Sequence, residues 1–338
     1  MRPFRGGGAW RAALPLVAVA YAPPPAPPHP PAATVAVRAP AVVSRLKVTV
    51  LSTMLAGDPG RGIGEWGFAA LIEADGDRLL VDTGARPETV LRNARELGID
   101  LAGVEHVILT HGHGDHVGGL VTLRTALRAR DPRALAVAHV APPIFWSRPG
   151  TDGSEQNALL RERGAYEAAG GRFVAHAAAT ELRPGVWFTG PVPRPNAERN
   201  WSGLRVVRSP DGDVEDQVQE DASIVVNTRE GLVVITGCGH AGVVNILTKA
   251  QDMLGGRPVH AVLGGLHLFT ATDSALAWTG RELRARGVAY LLGVHCTGIE
   301  ATHRLRGLLG LPRAAVATGA VGSSFTLGEG IDPLALGR

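Results

Sequence analysis

A chain of 338 residues accommodates one large domain or two average ones, and 45% hydrophobic with 19% charged residues excludes disorder of the whole. The formal net charge is only +3, lysine occurs only at Lys47 and Lys249, and no run of basic residues is interleaved with aromatics, so no nucleic-acid partner is expected. Two cysteines, Cys238 and Cys296, are too few for a disulfide framework.

Residues 1–45 differ in composition from the rest. Arg2, Arg5 and Arg11 lead into an apolar run, 12–22, that ends Ala20-Tyr21-Ala22 and is followed by Pro23-Pro24-Pro25-Ala26-Pro27-Pro28. This reads as a secretory signal or as a disordered Pro-rich leader; Pro15 within the run and Pro23 just after the small-residue ending speak against cleavage. Cytoplasmic and exported locations therefore both stay open. The run is shorter than the roughly 20 apolar residues that cross a bilayer, and no other segment qualifies, so no integral membrane segment is expected.

Residues 46–330 read as a single α/β domain of layered type. Strands are predicted at 46–51, 68–73, 78–81, 104–109, 134–140, 172–175, 186–189, 223–227, 232–236, 259–263, 289–293 and 314–317. Helices are predicted to begin near Pro87, Gly118, Ser154, Gly242, Asp273 and Glu300. Tight turns join strands in the first half, and strands alternate with helices in the second, a pattern of stacked sheets covered by helices. The segment 191–221, rich in Pro, Asn, Arg and Asp, reads as a long functional loop.

The apolar stretch 104–109 runs straight into Thr110-His111-Gly112-His113-Gly114-Asp115-His116. Four potential ligands in six residues suit zinc or a similar divalent ion, which takes imidazole nitrogen and carboxylate oxygen at about 2.0–2.2 Å. So short a segment cannot surround one ion. His111 and His113 are expected at one metal, Asp115 and His116 at a second, and two ions about 3.5–4 Å apart can activate a water between them. Zinc is the default, and iron or manganese also fit such ligands.

A hydrophobic strand followed by His-x-His-x-Asp-His resembles the metallo-β-lactamase superfamily. Further segments resemble the branch of it that contains 7,8-dihydropterin-6-methyl-4-(β-D-ribofuranosyl)aminobenzene-5'-phosphate synthase: Glu65 to Glu73, Val81-Asp82-Thr83-Gly84, Thr236-Gly237-Cys238-Gly239-His240-Ala241-Gly242, Gly264-Gly265-Leu266-His267-Leu268 and His295-Cys296-Thr297-Gly298. The resemblance runs from about Leu46 to Gly322 and implies an αββα sandwich with the site at one edge of the two sheets. The branch commonly carries an aromatic residue in place of Gly114 and a serine in place of Gly239, so substrate preference can differ.

The resemblance implies that Asp82 steadies the metal loop by accepting an imidazole N–H; without it, Asp82 is equally an ordinary turn residue. No clear metal-binding histidine lies between His116 and the strand 232–236, which makes His240 the candidate for a further imidazole. The resemblance also implies that His295, at the end of a late strand, belongs to the second metal. Cys238 is a ligand, a buried free thiol or a partner of Cys296 in a disulfide. His267 is a substrate contact, a proton donor or a plain loop residue. Glu65 and Trp66 line the substrate entrance, or Trp66 simply packs. His29, His106, His139, His176, His260 and His303 receive no role. The expected function is hydrolysis of a small-molecule phosphoryl or acyl substrate, pterin-related chemistry being implied by the resemblance alone, with Asp115 or His267 handling protons. An exported zinc β-lactamase and a non-catalytic metal-stabilised binding protein are the rival readings. Oligomeric state is left open.

Overall fold

A computed structural model describes residues 40–201 and 205–335; most of the proposed leader lies outside them. Ordered packing begins ahead of residue 46: Val43 is buried and bridges Thr228, and Asn227 Nδ2 donates to the Ala41 carbonyl at 2.7 Å.

The first half supplies β1 (Leu46–Ser52), β2 (Ala69–Ala74), β3 (Asp77–Val81), α1 (Thr89–Glu96), β4 (His106–Ile108), α2 (Gly114–Val117), α3 (Leu120–Leu127), β5 (Val137–Val140), α4 (Ala158–Ala168) and β6 (Arg172–Ala175). There follow β7 (Thr180–Arg183), β8 (Val186–Phe188), β9 (Val206–Ser209), β10 (Gly212–Glu215), β11 (Ser223–Thr228), β12 (Gly231–Thr236), α5 (Val243–Met253), β13 (Val259–Gly264), α6 (Asp273–Ala285), β14 (Tyr290–Gly293), α7 (Ile299–Leu309), β15 (Val316–Thr318), β16 (Ser324–Thr326) and β17 (Gly330–Asp332). One sheet has the order β17-β16-β1-β2-β3-β4-β5-β6, the other β15-β14-β13-β12-β11-β8-β7.

Three buried layers account for the apolar runs. In β2, Ala70 and Ile72 face the space between the sheets, while Ala69 and Leu71 face α1 and α3. In β12, Val233 and Ile235 point between the sheets, and Leu232 and Val234 point toward α5 and α6. Strands buried on both faces lose the polar alternation of an exposed sheet. Each fully buried branched side chain contributes roughly 1.5–3 kcal/mol, which ties both sheets and both helix layers together. The result is the expected αββα sandwich.

Helix starts follow local chemistry. Asn157 accepts from the N–H groups of Leu159 and Leu160 to cap α4, and Thr272 accepts from Ala275 to cap α6. Two expectations need correction. The strand expected at 104–109 is regular only over His106–Ile108, although the Val104 and Glu105 carbonyls and the Leu109 N–H still bond to the β5 side. The loop 191–221 contains the hairpin β9–β10, paired from Ser209–Gly212 to Val206–Glu215 around Pro210-Asp211. Among the described residues no helix is long and apolar enough to cross a membrane.

Candidate metal centre

The strands β3 and β4 run parallel in one sheet, and β12, β13 and β14 run parallel in the other. Their carboxyl ends therefore open at shared edges, where ligands bind in parallel sheets. Asp82 follows β3, the His111–His116 segment follows β4, Cys238 and His240 follow β12, His267 follows β13, and His295 follows β14.

The chain brings these side chains together. Donor atoms of His111, His113 and His240 lie within 4.8 Å of one another, as do those of Asp115, His116 and His295. Cys238 belongs to three such groups, with His111 and His116, with His240 and His267, and with His295 and Cys296. Its sulfur is 3.1 Å from His116 Nε2, at the middle of the cluster. Both cysteines are free thiols, so the disulfide alternative is not what the structure holds.

The rings of His111, His116 and His240 are steered by partners on their far sides. Asp82 Oδ2 meets His116 Nδ1 at 2.7 Å, and Thr83 takes the His116 carbonyl through its N–H and its hydroxyl. Asp82 also accepts from Thr110 N–H and Thr110 Oγ1, whose oxygen lies 3.0 Å from His111 Nδ1. One carboxylate thereby orients two rings, leaving their Nε2 atoms for the cluster. The Asn200 carbonyl accepts from His240 Nδ1 at 2.6 Å, a contact that only the tertiary structure reveals. Three of the seven non-glycine residues with positive φ among those described are Asp82, His267 and His295. Backbone held in that costly region concentrates where function over-determines it.

Electrostatics follows burial. The His111 and His240 imidazoles are held well below their ordinary pKa, first by burial and then by neighbouring imidazoles. Burial also lowers His113 to about 4 despite the pull of Asp115. These rings stay neutral, the form that binds metal. Burial works to lower His116 as well, but Asp115 and Asp82 together hold it up at about 9. Asp115 is opposed by its own burial, yet the facing His116 and His295 keep it well below the usual carboxylate range. Burial, then Cys296, pushes the Cys238 thiol well above its ordinary value.

The entrance residues divide. Trp66 is half exposed and packs 4.8 Å from the His295 ring and 5.5 Å from Phe269, at the rim. Glu65 is instead buried: it accepts from Ser52 Oγ and from the N–H groups of Ala85 and Arg86, holding the turn behind Asp82. Gly239 has φ +63, a conformation that suits glycine, whereas a Cβ on Gly114 would meet only Ala158 at 3.7 Å. A buried salt-bridge network escaped the sequence reading. Arg148 bridges Asp216 and Glu220, and Glu220 accepts from Gly112 N–H inside the His111–His116 segment. His106, His139 and His176 form a second cluster outside those donor groups, ring nitrogen to ring nitrogen at 2.9 Å.

A family model described as the metallo-beta-lactamase superfamily matches residues 67–252. The chain is 29% identical over 272 residues, 77% of its length and 90% of the relative's, to the 7,8-dihydropterin-6-methyl-4-(beta-D-ribofuranosyl)-aminobenzene-5'-phosphate synthase of Methanocaldococcus jannaschii. Among solved structures it resembles Tm1679, described as a metal-dependent hydrolase of the beta-lactamase superfamily, with TM-score 0.65 and 26% identity over 82% of this chain and 98% of that one. The metallo-beta-lactamase fold protein YhfI from Bacillus subtilis matches in fold alone, with TM-score 0.51 and 15% identity over 84% of this chain and all of that one. With the matched segment spanning more than half the chain and the layered fold to accompany it, this protein belongs to the metallo-β-lactamase superfamily.

Proposed function

We propose that the protein is a metal-dependent hydrolase that holds two divalent ions, zinc by default. His111, His113 and His240 would hold one, Asp115, His116 and His295 the other, with Cys238 between them. The convergence of donors from separate strand ends into two groups, each within 4.8 Å, carries this reading. The residues fit such ions: His240 Nε2 and both ring nitrogens of His295 are buried without a hydrogen-bond partner. Buried polar atoms left so are rare unless a ligand satisfies them.

When bound, the pair of ions supplies Lewis acidity, which lowers the pKa of water and polarises the attacked group. The chain's own residues do the rest. Asp115, kept anionic at the mouth, orients the attacking water by accepting its hydrogen bond. His267 lines the same mouth, takes the proton of that water and gives it to the leaving atom. Trp66 and Phe269 shield the centre from bulk water. The substrate is a small phosphoryl or acyl compound, and the name of the M. jannaschii relative favours a phosphorylated, pterin-related one.

Elemental analysis of freshly isolated protein tests this, with hydrolysis of phosphodiester, lactone and thioester panels. About two metal equivalents are expected, with about one lost in His240→Ala and in His295→Ala. A protein without metal, or a content that neither variant alters, defeats the reading. Turnover of a chromogenic cephalosporin alone would mark a β-lactamase, and stoichiometric metal without any turnover would mark a binding protein.

A further inference from the structure

Three cavities run together beside the cluster. The mouth, of about 420 Å³, is lined by His113, Asp115, His240 and His267, and on its outer side by Gln156 and Arg205. It shares His267 and Trp201 with a pocket of about 630 Å³ beside α6, and Gln156 and Arg205 with a groove of about 800 Å³ along β9–β10. The centre thus sits midway along a trough, and a substrate reaching it has room for groups on both sides.

The charges around that trough are almost all spent. Arg148 is buried against Asp216 and Glu220. Arg199 pairs with Glu215 at 2.6 Å, Arg208 lies 3.7 Å from Asp213, and Arg194 donates to the carbonyls of Gln217 and Val218. Of the acids at the mouth, Asp216 is taken by Arg148, and Asp115 faces His116 and His295. Arg205 has no ion-pair partner among the described residues, and its side chain is exposed at the junction of mouth and groove. Its backbone is anchored, because its carbonyl accepts from Asp216 N–H at 2.9 Å.

A guanidinium offers a planar fork of donors matched to carboxylate and phosphate oxygens. The geometry points to Arg205 as the residue that selects substrates carrying an oxyanion away from the bond that breaks. This rests on the hydrolase reading for the bond, and on Arg205 alone for the anion.

The test compares para-nitrophenyl pentanoate with mono-para-nitrophenyl pentanedioate, esters alike except for a terminal carboxylate. The parent should favour the charged ester. In Arg205→Ala the ratio of kcat/KM values, charged over neutral, should fall at least about tenfold, through KM, with Arg205→Lys keeping part of it. A ratio unaltered in both Arg205→Ala and Arg205→Glu overturns the assignment. Calorimetric titration of glutarate and of inorganic phosphate into parent and Arg205→Glu protein reads the same site without turnover and tells carboxylate from phosphate. Weaker binding of either anion in the variant supports the assignment, and equal affinity for both overturns it. Lost anion binding in a protein that cleaves no ester or phosphodiester would sink the hydrolase reading and leave Arg205 its role. Cleavage indifferent to charge would do the reverse.

Discussion

Asp82 Oδ2 and His116 Nδ1 stand 2.7 Å apart with no solvent exposure on either residue, and the same oxygen accepts from Thr110 Oγ1 at 2.7 Å. The carboxylate sits at the end of β3 with φ +52, so its position comes from the backbone and not from a flexible side chain. Asp82→Asn removes the charge and offers an amide that cannot accept at both sites. Metal affinity should fall about 10–100-fold, as expected for loss of a group that orients a ligating imidazole. Competition with a chromophoric chelator measures this, and affinity within a factor of two of the parent's would contradict it.

Gly237 follows β12 and passes against the same network. A Cβ there would collide with Thr110 Oγ1 and lie 2.8 Å from Asp82 Oδ2. Gly237→Ala should therefore cost about 1–3 kcal/mol of stability by overpacking and weaken metal binding as well. Urea midpoints of the two proteins decide it: an unmoved midpoint means the strand end can retreat.

Arg148 neutralises two buried carboxylates, one of which holds Gly112. Removing one member of a buried ionic network leaves the others uncompensated. Arg148→Met should destabilise the fold by about 3–5 kcal/mol, read from urea unfolding. A loss below about 1 kcal/mol would show that Asp216 and Glu220 find water instead.

Glu198 accepts from the N–H groups of Val244 and Asn245 at the start of α5, and burial pushes its carboxyl up to about 7 from 4.5. A raised acid contributes stability that is full below pH 4.5 and lost as pH climbs through 7. Relative to the parent, Glu198→Gln should gain as pH rises from about 5 to about 8, by at most about 3 kcal/mol. Unfolding curves at both pH values check the sign, and a variant that loses stability relative to the parent toward high pH would refute it.

The layered sandwich could be read in advance because β12 is buried on both faces throughout, and β2 and β13 are so except at Glu73 and His260, so they appear as nearly continuous apolar runs. The hairpin β9–β10 was missed because Pro and charged residues mask two four-residue strands that pair with each other and bridge the rest of the chain at Arg208 to Ser147. β16 and β17 were missed because strands of three residues leave too little pattern to detect. Glu65 looked like an entrance residue because nothing nearby in the chain announces that Ser52, Ala85 and Arg86 will bury it.

The candidate ligand types and the crowding of His111, His113, Asp115 and His116 are written in one short segment that runs from the end of β4 into α2. Which distant residues join them is decided by sheet topology. Parallel strands carry Cys238, His240 and His295 to the edge where β4 ends, the Asn200 carbonyl turns the His240 ring, and Asp82 turns that of His116. Local spacing constrains neighbours within a few bonds, whereas those contacts depend on packing between residues many tens of positions apart, and no short-range pattern encodes it.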